Sequence, residues 1–413
     1  MQRLILHSDL NCFYAAVECL YDRSLKGKPV AVCGDPNKRH GIVLAKSYEA
    51  KAFGIHTGET VWQAKQKCPE LILVPVHFER YKKYSKLVRD IYYEYTNFVE
   101  PYGLDEAYLN ISKPDGDFNY ALETARKINR EIKEKLGLTV SIGVSFTKSF
   151  AKLGRDYKKP DGITVITPDN FKDIVWPLDV DRLMYVGNAT RNKLEKLGIT
   201  TIGMLANADE RGIAENFGRN GLKARNRALG RDFEPVQDYV YKRKIKSVGN
   251  SVTLPYDIYE ESDVDITLMV LAESVAHRLR ENGARCNTIQ IEIKEDVYYK
   301  ASAQKKLRYA TNVSDDIFRT AKKLFESRHT YGRPVRSIGI KVCELDFGET
   351  VQLSLDPEFK RSETQLKIDN MVEAVRNKYG YESIKRGIML LNNELSEINP
   401  CADHTVYPGG FVQ

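Results

Sequence analysis

Three acidic residues are the first candidates for chemistry. Asp105 and Glu106 are adjacent in VEPYGLDEAYLNIS (99–112), an otherwise apolar, strand-like run, and Asp9 ends the apolar stretch LILHSD. Neighbours in a regular strand point to opposite faces. Asp105 and Glu106 can therefore converge only at a turn, which EPYG supplies. The end of a buried strand is where open α/β sheets expose functional groups. Three close carboxylates repel and raise one another's pKa unless cations neutralise them. Hard oxygen ligands suit Mg²⁺, which completes its shell with water and phosphate. Two such ions about 4 Å apart can activate a hydroxyl and stabilise a leaving phosphate oxygen. The same acids also fit ordinary turn charges and a helix cap, and the pair alone does not separate these readings.

The elements around them read as follows. LILHSD is a strand, FYAAVECLYD is helical and GKPVAVCG holds a short strand. In FERYKKYSKLVRDIYYEYTN, residues Tyr81, Tyr84, Val88, Ile91 and Tyr95 recur at steps of three and four, one face of a helix. Helix 118–136, strand LTVSIGVS, helix 147–158 and strand GITVI follow. Strands alternating with helices argue an α/β layer with helices on one face, compatible with a ferredoxin-like sheet carrying an insertion. From about 166 to 231 the pattern is helical, and 233–245 loses both periods and gathers basic charge, as a linker does. In NTIQIEIKED, Ile289, Ile291 and Ile293 alternate with Gln290, Glu292 and Lys294, a half-solvated antiparallel strand. With RPVRSIGIKVCEL and helices near 262–282 and 313–328, this makes a separate α+β domain.

At 413 residues the chain exceeds one ordinary core, and 42% hydrophobic with 29% charged residues excludes a disordered chain. No apolar run is long enough to span a membrane, and the N-terminal stretch runs into Asp9 without a cleavage pattern, so it reads as a strand and not a signal peptide. Seven cysteines without a C-x-x-C pair argue against a disulfide framework or structural zinc and fit a reducing cytoplasm. A net charge of +7 favours a polyanionic partner without establishing one. The seven histidines have no ligand spacing, and His7 reads as a core or edge residue.

SDLNCFYAAVE, SYEAKAFGI, VEPYGLDEAYLNIS and SFAKLGRDYKKPDGI, in this order, resemble the signature blocks of Y-family translesion DNA polymerases, in the bacterial DNA polymerase IV and UmuC-like branch. The resemblance covers residues 1 to about 390. It implies a multidomain α/β and α+β chain. A palm would be built from 1–10 and 74–165, with fingers at 19–73 and a helical thumb at 166–231. A linker at 232–243, a little finger at 244–347 and a C-terminal helical extension with an irregular tail at 348–413 would follow. It implies template-directed, low-fidelity extension of a DNA primer by two-metal-ion nucleotidyl transfer. Asp9, Asp105, Glu106 and the Leu10 carbonyl would hold two Mg²⁺ ions, for which Mn²⁺ can substitute. Phe13, Tyr14, Tyr48, Lys51 and Lys159 would meet the nucleotide, with Tyr14 as the steric gate against a ribose 2′-hydroxyl. Ile42, Leu44 and Gly58 would roof the nascent base pair, Leu44 giving a tighter fit over bulky lesions than a smaller residue. Lys51 stands where many members carry arginine, keeping charge but losing fork-like recognition.

By the same resemblance, YVGNATRNKLEKLGIT reads as helix–hairpin–helix, with Gly187 approaching a DNA phosphate and Leu194, Leu197 and Ile199 packing the second helix. Tyr185 stands where members usually carry glycine and is expected to distort the hairpin. Lys246, Arg333, Arg336 and Lys341 would track phosphates without reading sequence. Gln352, Leu353 and Leu355 occupy the place of a sliding-clamp peptide, but Asp356 replaces its aromatic anchor, and Phe359 could substitute only after a register shift. The expected partners are primer–template DNA, deoxynucleoside triphosphates and, subject to Asp356, the clamp, with no membrane, for a cytoplasmic monomer. A nucleotidyl cyclase-like palm and a catalytically silent DNA-binding scaffold are the competing readings.

Overall fold

The computed structural model describes residues 2–35, 41–237, 245–296, 299–348 and 356–398. Gln352, Leu353 and Leu355 of the expected clamp peptide and the tail from 399 lie outside them. The chain divides into two compact units, with the break after residue 242. Its fold is mixed α/β with several sheets.

Among the described residues the first unit holds eight strands: β1 (Ile5–Leu10), β2 (Val30–Cys33), β3 (Val43–Lys46), β4 (Ile72–Pro75), β5 (Val99–Pro101), β6 (Glu106–Asn110), β7 (Val140–Ser145) and β8 (Ile163–Ile166). The main sheet has the order β5-β6-β1-β7-β8, with β1 antiparallel to both β6 and β7 and β7 parallel to β8. All six residues of β1 are buried, which explains its unbroken apolar reading up to Asp9. Leu6 and Leu10 face the helices Phe78–Tyr93 and Phe118–Leu136, with Val88, Ile91, Ala121 and Ile128 in one core. Ile5 points the other way, packing with Tyr108 and Ala151 of helix Lys148–Tyr157. Helices therefore cover both faces of this sheet, not one. The reason is Gly143: a Cβ there would lie 1.9 Å from the Ala151 carbonyl oxygen, so only glycine lets the helix press onto β7.

Between helices Phe13–Tyr21 and Phe78–Tyr93 sits a small sheet of order β3-β2-β4 over a core that includes Ala31, Val43, Ile55 and Leu71. Helices Phe171–Val175, Asn188–Lys196, Ile202–Asn207 and Glu210–Ala228 follow β8. They pack around Val180, Leu183, Leu194 and Leu205 and against Phe150 and Leu153. Leu194 is buried there, but Leu197, expected to pack, is 49% exposed: the chain leaves the helix at this residue, where its φ is −92°. Gly198, with φ of 75°, terminates the helix.

The stretch that reads as a linker is docked at its start. The Arg3 guanidinium donates to the Asp232 and Glu234 carbonyls, and Ser149 donates to the Asp232 carboxylate at 2.6 Å. Val236 is buried beside Ile5 and Tyr108, and the Gln237 N–H bonds to Glu100 at 2.8 Å. Residues 232–237 thus lack periodicity because they form an irregular strap, held by buried polar partners.

The second unit holds β9 (Ser247–Ile258), β10 (Arg285–Lys294), β11 (Lys300–Thr311) and β12 (Val335–Asp346), all antiparallel in the order β11-β10-β12-β9. Ile289, Ile291 and Ile293 are fully buried against helices Glu261–Glu281 and Ser314–Glu326, as their alternation predicts. The opposite face carries polar rows such as Gly249, Lys341, Gln290 and Gln304. Helix Pro357–Tyr379 is tied to this unit by Arg280 to Asp369 and Glu373, and by Arg376 to Glu273. The six cysteines among the described residues are free thiols.

Candidate active site

Register brings two of the acids together. Asp9 of β1 is the direct partner of Glu106 of β6, so their side chains stand side by side on the face covered by helix Lys148–Tyr157. Asp105 lies in the bend before β6, where Gly103 takes φ of 156°, and its carbonyl accepts the Leu10 N–H at 3.0 Å. The turn therefore frees Asp105 from strand alternation, as EPYG suggests. The carboxylates do not close on a common point, and among the described residues no three acid, histidine or cysteine side chains form a metal-ligating group.

Cations from the facing helix neutralise the acids. Arg155 and Lys159 pair with Asp9, the latter at 2.7 Å. Lys152 and Arg155 pair with Glu106, the latter at 3.0 Å. Lys148, one turn earlier, pairs with Glu100 at 2.7 Å. Residues 148, 152 and 155 recur at steps of four and three on one helical face, and Lys159 follows just past the helix end at the next such step. That spacing was readable in SFAKLGRDYKKP, and only Lys159 was singled out from it.

Burial, and then the Glu106 charge, push the Asp105 carboxyl up to about 6. Burial acts in the same direction on Glu106, but His7 and Lys152 together outweigh it and bring that carboxyl down to about 2. Two neighbouring acids thus have widely separated affinities for a proton. His7 is fully buried in β1, and burial lowers it to about 4, so it is neutral at physiological pH. Its Nε2 lies 3.3 Å from Glu106 Oε2.

Around the acids lie the other residues of interest. Tyr14 stacks on Tyr81 with ring centroids 4.2 Å apart and planes 8° apart, and meets Phe78 edge-on. Burial, then the Asp105 charge, raise its phenol to about 12. The Phe13 ring is 3% exposed within the core, which leaves its backbone as the part able to meet a nucleotide. Tyr48 opens the short helix Tyr48–Ala52, which Ser47 caps, with the Lys51 ammonium 5.7 Å from its ring centroid. On the small sheet, Ile42 is exposed and Leu44 half-buried, and Gly58 has φ of 90° and donates to the Val43 carbonyl at 2.8 Å.

A cavity of about 330 Å³ joins Lys152 and Asp156 to Arg182, Tyr185 and Gly187. Tyr185 does not displace the turn a glycine would make: it adopts φ of 68° itself. The left-handed conformation costs a side-chain residue about 1–2 kcal/mol. Its exposed ring is covered in part by the Arg227 guanidinium at 4.6 Å, a contact worth about 0.5–1 kcal/mol. Gly187 then caps helix Asn188–Lys196, leaving that end free of side-chain caps. In the second unit Lys246, Arg333 and Lys341 are exposed and Arg336 is half-buried. Asp356 is not free to act as an anchor: it accepts from Arg308 at 2.9 Å and Tyr309 at 3.3 Å. Phe359 packs edge-on to Tyr309.

Comparison with known proteins gives the family and the fold. The impB/mucB/samB family matches residues 8–156, and its C-terminal domain matches 245–355. A solved Y-family DNA polymerase chimera superposes with a TM-score of 0.72 at 26% identity, covering 84% of this chain and all of that one. DinB from Sulfolobus solfataricus gives 0.54 at 27%, covering 82% and 98%. The chain belongs to the impB/mucB/samB family of Y-family DNA polymerases. Within it, DNA polymerase IV of Acetivibrio thermocellus is 43% identical over 96% of this chain and 100% of its own length. DNA polymerase IV 1 of Bacillus subtilis is 39% identical over 95% and 94%.

Proposed function

We propose that the chain is a template-directed, low-fidelity DNA polymerase that extends primers past damaged template bases. The observation that carries this reading is the Asp9–Glu106 pair with Asp105 at one sheet edge, ringed by Lys152, Arg155 and Lys159, in a chain of this family. The primer 3′-oxygen forms a bond to the α-phosphorus of the nucleotide, the bond to the β-phosphate oxygen breaks, and pyrophosphate leaves. The 3′-hydroxyl gives up its proton in that step.

The donor set fits a divalent metal. Hard carboxylate oxygens are balanced here by flexible cationic side chains, and the Arg155 Nε is buried without a hydrogen bond, so that pairing is not the optimum for the site. Asp9, Asp105, Glu106 and the Leu10 carbonyl would hold Mg²⁺, two ions per site, with Mn²⁺ able to substitute. A bound ion makes the primer hydroxyl easier to ionise and offsets charge on the departing phosphates. Lys159, released from Asp9, with Lys51 and Tyr48, would hold the triphosphate. Tyr14 would stand beneath the sugar, and Ile42, Leu44 and Gly58 over the base pair.

A pH dependence follows. Asp105 takes a proton below about pH 6, and a cation must displace that proton to bind. The rise in melting temperature caused by Mn²⁺ at pH 7.5 is expected to shrink about twofold or more at pH 5. A rise that is equal at both pH values contradicts the role of Asp105. In its metal-free form the raised pKa has the opposite sign: protonation of Asp105 stabilises the fold below about pH 4, and that contribution is lost as pH rises through about 6.

The assignments of palm, fingers, thumb and little finger to the stretches given above belong to this reading. So do DNA contacts at Gly187 and at Lys246, Arg333, Arg336 and Lys341. The cavity beside Lys152 and Gly187 would admit the primer strand. Binding to primer–template DNA is expected to weaken with salt along a straight log–log line of slope about −4 or steeper, measured by fluorescence anisotropy. A flat response contradicts the phosphate grip. With Asp356 and Phe359 already engaged, any sliding-clamp contact would be weak. We read the protein as a cytoplasmic monomer; no helix among the described residues is long and apolar enough to cross a membrane. Primer extension on undamaged and lesion-bearing templates tests the function.

A further inference from the structure

Asn11 follows β1 directly and is 4% exposed. Its amide orientation is fixed by its neighbours. The backbone N–H groups of Val140 and Asp161, at 3.3 and 3.1 Å, can only donate, so Oδ1 must face them, and it also accepts from the Thr139 hydroxyl at 3.2 Å. Nδ2 then donates to Ser141 Oγ at 2.9 Å and to the Tyr48 hydroxyl at 3.2 Å. The reverse orientation would set Nδ2 against two obligate donors. One buried amide therefore ties β1, β7, the Asp161 turn and helix Tyr48–Ala52 together.

The direction of these bonds matters more than their number. Because the Tyr48 oxygen accepts from Asn11, its phenol proton is free to be given elsewhere. Burial raises the Tyr48 pKa, so that proton is held at neutral pH. Its other neighbour is the Cys12 thiol, a weak acceptor that an anion would outcompete. The Lys51 ammonium lies over the same ring and favours an anion there.

We propose that Asn11 is a positioning residue that sets the polarity of the Tyr48 hydroxyl, so that Tyr48 presents a proton to the triphosphate of the incoming nucleotide. The inference rests on the reading of Tyr48 as a triphosphate contact. A carboxylate at position 11 has acceptors alone. It would accept a hydrogen bond from the Tyr48 hydroxyl and so turn the phenol oxygen lone pairs toward the phosphates. Alanine at the same place frees Tyr48 without reversing it.

The test is single-nucleotide insertion by the full-length protein, varying a deoxynucleoside triphosphate opposite its complement, with melting temperatures as a check on folding. Asn11→Asp is expected to raise KM about tenfold with kcat changed less than about threefold. Asn11→Ala raises KM no more than about threefold, and Tyr48→Phe about tenfold. In the Asn11→Asp, Tyr48→Phe double variant KM is no higher than in Tyr48→Phe alone, because the lost proton can be lost once. Additive effects, or an Asn11→Ala defect as large as that of Asn11→Asp, overturn the inference. Should Asn11→Asp not fold, the Asn11→Ala, Tyr48→Phe double variant carries the same test, with additivity again the contrary result. An unchanged KM in Tyr48→Phe overturns the Tyr48 assignment and this inference together. A raised KM in Tyr48→Phe with an unchanged KM in Asn11→Asp overturns the inference alone.

Discussion

Glu106→Ala is expected to slow primer extension by about a thousandfold or more, the largest effect of any single substitution in this chain. Glu106 stands beside Asp9 in direct register, and its carboxyl is held ionised far below neutral pH. It is therefore an acid ready to hold a cation without first losing a proton. Its loss removes one of three anionic ligands and leaves Lys152 and Arg155 concentrated on Asp9, which opposes cation binding further. Glu106→Gln keeps the shape and removes the charge, so it should fall nearly as far. Single-turnover extension at saturating nucleotide separates this loss from weaker DNA binding. A loss smaller than about tenfold in both variants would contradict the role of this acid.

Tyr14→Ala is expected to reduce the preference for deoxyribonucleotides over ribonucleotides by about a hundredfold or more. The argument is rigidity. Tyr14 is stacked face to face on Tyr81 and braced edge-on by Phe78, so its ring cannot turn aside for an added hydroxyl. The Tyr81 hydroxyl is itself pinned to Glu18 at 2.7 Å, which Arg80 also contacts at 2.6 Å, so the wall has a second layer behind it. A wall that cannot move discriminates by collision, and removing it opens space without creating a new attraction. The measurement is the ratio of kcat/KM for matched deoxyribo- and ribonucleotides. A ratio within about threefold of the wild-type value would show that selection lies elsewhere.

Both effects concern residues that could be found in the sequence, and the reason is that local pattern carried them. An acid closing a buried run, and two acids after EPYG, stand out because charge is costly there. The Ile289, Ile291 and Ile293 alternation and the helix over 118–136 were readable for the same reason: each satisfies one period through its own length. What escaped depends on pairing between distant segments. Lys152 and Arg155 carry the helical spacing of a basic face, but nothing local says that Gly143 lets this face press onto the sheet bearing Asp9. The 232–237 strap lacks any period because its order comes from Arg3, Ser149 and Glu100. Leu197 fits a packing pattern and is exposed because the helix ends beneath it. Tyr185 itself takes a left-handed φ of 68°, a conformation open to glycine at lower cost, which the local pattern does not announce. Asn11 joins four parts of the first unit, but nothing beside it in the chain marks it, because its partners come from distant segments.

The central claim is that this sheet edge joins a nucleotide to a primer under the direction of a template. The most direct measurement is extension of a labelled primer by the full-length protein with Mg²⁺ on four templates that differ only in the first unpaired base. One deoxynucleotide is supplied at a time, and one further template carries a damaged base at that position. The account predicts insertion that follows the templating base with frequent errors, continues past the damaged base and stops when Mg²⁺ is chelated. Insertion indifferent to the template, or no extension by folded protein that binds the primer–template, would contradict it.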